Sequence, residues 1–221
     1  MEQSVTAAIE DAISKAQQLD PAMIVLLIAV AAEVAGNEAL LSAAIEYYLA
    51  RSTQIERLYE ALLQTYLFAG FPAAIEALKV AHRCASEHGQ SFGTSLHEDY
   101  DVEHFSERGS SLIARVYGEQ HDRLRQRIYQ LSPELDTWMV IEGYGKVLAR
   151  PAAISFVERE LCAMVALATG GWLPQLRSHM HALAREGVPY AVILDALVAA
   201  STSASSERIA SALEVATSVW N

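Results

Sequence analysis

Shifted by 135 positions, the first half of the chain overlays on the second without a gap. Val30-Ala31 falls on Val165-Ala166, Gly36 on Gly171, and Leu41 on Leu176. Ala61-Leu62 meet Ala196-Leu197, and Ala77-Leu78 and Val80-Ala81 meet Ala212-Leu213 and Val215-Ala216. Alanine and leucine match easily in helices, so the coincidence of helix breaks weighs more than the identities. A unit repeated once, each copy too small to bury its own apolar face, restricts the chain to stacked helical hairpins.

The two copies differ where it matters for chemistry. Val25 of the first corresponds to Glu160 of the second, and Ala44 to His179. A polar side chain at a core position costs free energy unless a partner compensates it. The second copy is therefore the candidate site and the first a scaffold.

Apolar residues recur at three- and four-residue spacing throughout, the helical period. Helices are predicted over 6–18, 21–35, 38–51, 53–68, 72–84, 112–131, 133–149, 155–169, 174–186, 189–200 and 206–220. Asp20-Pro21 supplies a cap and a first-turn proline. Ser155 and Glu158 form a capping box, and Gly187 a C-terminal stop. No segment alternates long enough for a sheet, so the fold class is all-α, helix on helix. Three regions follow: residues 1–84, a degenerate first repeat; 85–132, a linker and connecting helix; and 133–221, the second repeat.

Composition excludes several roles. The net charge of −11 repels nucleic acid and anionic membranes. The longest apolar run, 21–32, is closed by Glu33 and is shorter than the roughly 20 residues of a bilayer span. The first residues do not resemble a signal peptide, so a cytoplasmic location is expected. Lys15, Lys79 and Lys146 are the only lysines, which leaves arginine, the better carboxylate clamp, as the main cation. Cys84 and Cys162 are too distant to suggest a disulfide framework. Cys162 reads as a buried thiol; Cys84 closes a helical pattern at the start of a polar stretch, a position that allows exposure, but Arg83 is its only basic neighbour and does not argue for activation. The acidic, histidine-bearing stretch 97–104 has no rigid element to converge ligands, and no metal is expected there.

Several motifs together resemble the carboxymuconolactone decarboxylase and AhpD-like family. Glu158-Arg-Glu-Leu161, the apolar helix to Leu167, and Leu176, His179, Ala182 and Gly187 are similar to its core signature. Tyr144-Gly-Lys-Val-Leu-Ala-Arg150-Pro151 resembles the lead-in of the decarboxylases, with Tyr144 and Leu148 replacing tryptophans. Phe68-Ala-Gly70-Phe-Pro72 resembles a closing motif in the first copy. The resemblance covers both halves and implies an AhpD-like helical bundle of two duplicated hairpins, with a proton relay through Glu160 and His179. It also implies a homo-oligomer, for which a trimer is favoured.

One departure is decisive for the redox branch of that family, whose members carry a C-x-x-C motif before the histidine. Here those two positions hold Trp172 and Gln175, so thiol peroxidase chemistry by that route is excluded. What remains is acid–base chemistry without a cofactor. His179 suits a general acid, since imidazole titrates near neutral pH. Glu160 would orient it, and Arg150 would clamp the carboxylate of a small-molecule substrate. Tyr144, Trp172 and Gln175 would line the pocket. The non-catalytic alternative is an oligomeric protein that binds small ligands.

Overall fold

The computed structural model describes residues 2–221, with side chains from Ser4 onward. Among the described residues the chain is helical and contains no strand. Its elements are α1 (Glu2–Lys15), α2 (Pro21–Val34), α3 (Glu38–Leu49), α4 (Ile55–Leu63), α5 (Tyr66–Glu87), α6 (Val102–Tyr117), α7 (His121–Leu131) and α8 (Pro133–Trp138). After a π-helix (Met139–Leu148) come α9 (Phe156–Gly170), α10 (Leu173–Arg185), α11 (Tyr190–Ala200) and α12 (Ser206–Trp220). No single helix among them is long and apolar enough to cross a membrane.

The caps behave as their chemistry dictates. Asp20 accepts from the Met23 amide at 2.8 Å, and Pro21 opens α2. Ser155 accepts from the Glu158 amide while the Glu158 carboxylate accepts from the Ser155 amide at 2.7 Å, closing the capping box on α9. Gly171 ends α9 at φ 81°, in the left-handed region that only glycine enters without strain. Gly70 (φ 84°) breaks α5 immediately before Pro72, and a further break near residues 64–65 separates α4 from α5.

The helices form two compact units. The larger comprises residues up to Ser95 together with Ala153–Asn221. Its centre is the packing of α2 on α9, with α3, α10 and α11 around them. Every residue of α2 from Met23 to Glu33 is buried, as is every residue of α9 from Arg159 to Thr169. Helices buried on all sides need an apolar circumference, which α2 has except at Glu33. In α9 the exceptions are Arg159, Glu160 and Thr169.

The smaller unit is Leu96–Ala152. Residues 133–152, assigned from sequence to the second repeat, group here with α6 and α7. The stretch expected as a linker is also shorter, because α5 runs to Glu87 and α6 begins at Val102. The reason lies in two glycines. A Cβ at Gly109 of α6 would meet the Val140 carbonyl oxygen at 2.0 Å, and one at Gly145 would meet the Phe105 carbonyl oxygen at 1.9 Å. α6 and the π-helix therefore touch backbone to backbone.

Candidate functional site

Glu160 lies in the first turns of α9, and His179 in the middle of α10. The packing of α10 on α9 brings together side chains 19 residues apart: His179 Nδ1 sits 2.8 Å from Glu160 Oε2. Both are removed from solvent, Glu160 at 0% and His179 at 4% exposure. The Phe68 ring packs edge-on against the imidazole, at 6.3 Å between centroids. With its Nδ1 edge turned to the carboxylate, the imidazole leaves Nε2 for any other contact. Glu160 Oε1 has no hydrogen-bond partner among the described residues. The imidazole is oriented by a carboxylate and screened from water, as a proton-transfer group should be.

The other predicted site residues have contacts of their own. Arg150 and Tyr144 belong to the smaller unit. Arg150 donates to Glu98 Oε2 at 3.4 Å and to the Leu96 carbonyl at 3.3 Å. Glu98 also takes both terminal nitrogens of Arg108. The guanidinium that was expected to clamp a substrate thus already holds a carboxylate of its own unit. The Tyr144 hydroxyl is 2.8 Å from that of Tyr117. Trp172 stands at the N-cap position of α10 and is 58% exposed, and Gln175 one turn later is exposed. The acidic stretch 97–104 is structural where its contacts are drawn: Glu98 binds the two arginines, and Asp101 caps α6 by accepting from the His104 amide.

Both cysteines are fully buried. Burial pushes the Cys162 thiol up to about 12. Cys84, whose position allowed exposure, instead packs under α3, where its sulfur is 3.7 Å from Ser42 Oγ, and burial raises its thiol too. Neither is the accessible, acidic thiol that redox chemistry requires.

No protein-family model matches the sequence. Among proteins of known name, the chain is similar to Peroxisomal protein 2 of Schizosaccharomyces pombe (strain 972 / ATCC 24843), with 26% identity over 141 residues. The match covers 63% of this chain and 65% of that protein, so it spans less than two thirds of the relative's length.

Sequence reasoning missed several buried ionisable groups, among them Asp136, which accepts from Arg125 at 2.5 Å. Arg159 donates to Glu60 Oε2 at 2.9 Å and to Gln64 Oε1 at 3.3 Å, a buried network joining α9 to α4. Asp195 of α11 accepts from the amides of Gln17, Gln18 (2.6 Å) and Leu19 (2.8 Å), tying down the turn after α1. Glu33 of α2 contacts Thr65 and is 3% exposed. Its place at the end of an apolar run gave no warning of burial, since a glutamate there reads as the helix meeting solvent.

Proposed function

We propose that this chain is a carboxymuconolactone decarboxylase-like protein in which Glu160 and His179 form a cofactor-independent acid–base centre. The observation that carries this reading is the buried 2.8 Å contact between His179 Nδ1 and Glu160 Oε2. The helix starts add support to the duplicated-hairpin reading: α2, α3 and α4 begin at Pro21, Glu38 and Ile55, each 135 residues before α9, α10 and α11 at Phe156, Leu173 and Tyr190.

The substrate class is a small lactone acid or keto acid. Loss of CO2 breaks a carbon–carbon bond and leaves its electron pair on an enolate. The imidazolium of His179 would return a proton to carbon from Nε2, and the Glu160 carboxylate would balance the imidazolium charge. Arg150 has no part in the proton transfer itself; its proposed role is to hold the substrate carboxylate, in competition with its 3.4 Å contact to Glu98. A peroxidase reading has no accessible thiol to support it. By the same reading the protein is a homotrimer with a cytoplasmic location, although the yeast relative's name places that protein in the peroxisome.

The test is CO2 release from a panel of carboxylated lactones and β-keto acids. For a substrate that turns over, His179→Ala should lower kcat/KM by about 10²–10⁴-fold, the usual contribution of a general acid. Glu160→Gln should lower it less, because the amide can still hold the imidazole but brings no charge to balance it. Unchanged turnover in His179→Ala, or no turnover of any member by the parent protein, would refute the acid–base centre.

A further inference from the structure

The imidazole of His179 is closed off, at 4% exposure, and Glu160 beside it has none. A substrate reaches Nε2 only if a neighbouring group moves. Leu176 and Leu183, one turn to either side on α10, are core residues with no exposure. Phe68 is different. Its ring meets the imidazole edge-on, with 80° between the planes, yet Phe68 is itself only half-buried. A side chain that touches the imidazole on one side and water on the other is the cover of the site.

The backbone under Phe68 is built to move. Residues 66–69 make a single turn between two breaks. On one side α4 and α5 meet at a bend of 118°. The residues of that bend are pinned: Gln64 and Thr65 are buried, Gln64 Nε2 donates to the Arg159 carbonyl at 3.3 Å, and Thr65 Oγ1 to the Leu62 carbonyl at 2.7 Å. On the other side stands Gly70, at φ 84°, where glycine takes up a change of backbone angle without strain. Pro72 follows, and it has no amide proton to offer the Phe68 carbonyl one turn back. Inside the turn, the Phe68 and Ala69 amides both donate to the Thr65 carbonyl at 2.8 Å. The turn is therefore tied to its pinned base and not to the helix beyond Gly70. Such a segment opens locally at lower cost than the helices it joins.

The 135-residue overlay places Ser203 at the position of Phe68, and Ala44 at that of His179. The large ring stands in the copy whose partner position carries an imidazole to cover.

We propose that Phe68 is the gate of the acid–base site, swinging with residues 66–69 on the Gly70 side to admit substrate to His179 Nε2. The inference rests on the acid–base reading of Glu160 and His179 and names what controls access to them. Its test needs no substrate, so the two fail separately: an absence of CO2 release leaves the gate standing, and a failed gate leaves the turnover.

The probe is diethyl pyrocarbonate, which acylates an accessible imidazole nitrogen, with each histidine followed by peptide mass spectrometry. His181, exposed on the same helix, is the internal reference. In the parent protein His179 should react slowly beside His181. Phe68→Ala should raise the His179 rate about tenfold or more, as local protection is lost, and leave the His181 rate unchanged. Phe68→Tyr keeps the ring and should behave as the parent. Hydrogen exchange of the parent keeps the test open if Phe68→Ala does not fold: amides of 67–69 should exchange faster than those of 77–85 in the same helix. An unchanged His179 rate in Phe68→Ala, or equal protection of the two segments in the parent, would overturn the gate.

Discussion

Glu33 keeps a proton that the unfolded chain sheds. Its carboxyl is raised from 4.5 to about 8 by burial. Below about pH 4.5 both states are protonated and folding bears no penalty from this group. As pH rises from there, the unfolded chain ionises while the folded chain does not, and stability falls until Glu33 ionises in both states near pH 8. At 1.36 kcal/mol per unit, the upper limit of that loss is on the order of 4–5 kcal/mol. Glu33→Gln should therefore resist urea better than the parent at pH 8 while matching it at about pH 4. Equal pH dependence in the two proteins would show that Glu33 is ionised in the folded state. This residue also marks where the sequence stopped being legible. A glutamate closing an apolar run reads as a helix end meeting water, and only the placement of α3, α4 and α5 around it makes that position interior. Glu160 and His179 were legible because their counterparts in the first copy, Val25 and Ala44, identified those positions as core.

At the scale of elements, periodicity and caps placed most helices of the larger unit to within a few residues; the exception is the break expected around Gly70, which falls at residues 64–65 and leaves only a kink at Gly70. Ser155, Asp20 and Gly171 act locally, so their consequences can be read locally. The smaller unit was less legible because its defining contact is between distant backbones. Nothing near Gly109 in the sequence indicates that Val140 will lie against it, or that residues 139–148 will widen into a π-helix. With the Cβ of an alanine at 109 only 2.0 Å from the Val140 carbonyl oxygen, α6 and the π-helix must separate. Gly109→Ala should destabilise this unit by several kcal/mol, beyond the ~1–3 kcal/mol usual for overpacking, because the clash is with backbone. Gly143→Ala, where a Cβ meets nothing within 4 Å, is the control and should be neutral or slightly stabilising. Hydrogen exchange resolved by segment checks both: amides of 102–117 and 139–148 should lose protection in Gly109→Ala alone, and equal protection in both variants would mean that the close approach is not maintained in solution.

For the molecule as a whole, the sequence carries more hydrocarbon than one core of this size demands, with 52% apolar residues against 19% charged. Part of the excess is on the surface. Phe71 is 67% exposed and Ile75 49%, one turn apart on α5 and so on the same face of the helix. Phe71 stacks on Tyr66 at 4.8 Å between ring centroids, which holds it in place instead of leaving it to collapse onto its own chain. Exposed, ordered apolar groups at helical spacing are what a symmetric contact buries. The net charge of −11 opposes nonspecific association, so self-assembly would have to come from a specific, well-packed face. If α5 supplies that face in the proposed trimer, three chains of 24.1 kDa should elute together at about 72 kDa by light scattering. Replacing Phe71 and Ile75 together by aspartate should then yield a folded monomer with unchanged helical content, since neither side chain belongs to the buried core. A parent protein that elutes at 24 kDa at micromolar concentration would remove the trimer, and a double variant that still elutes at the parent mass would remove α5 from the interface.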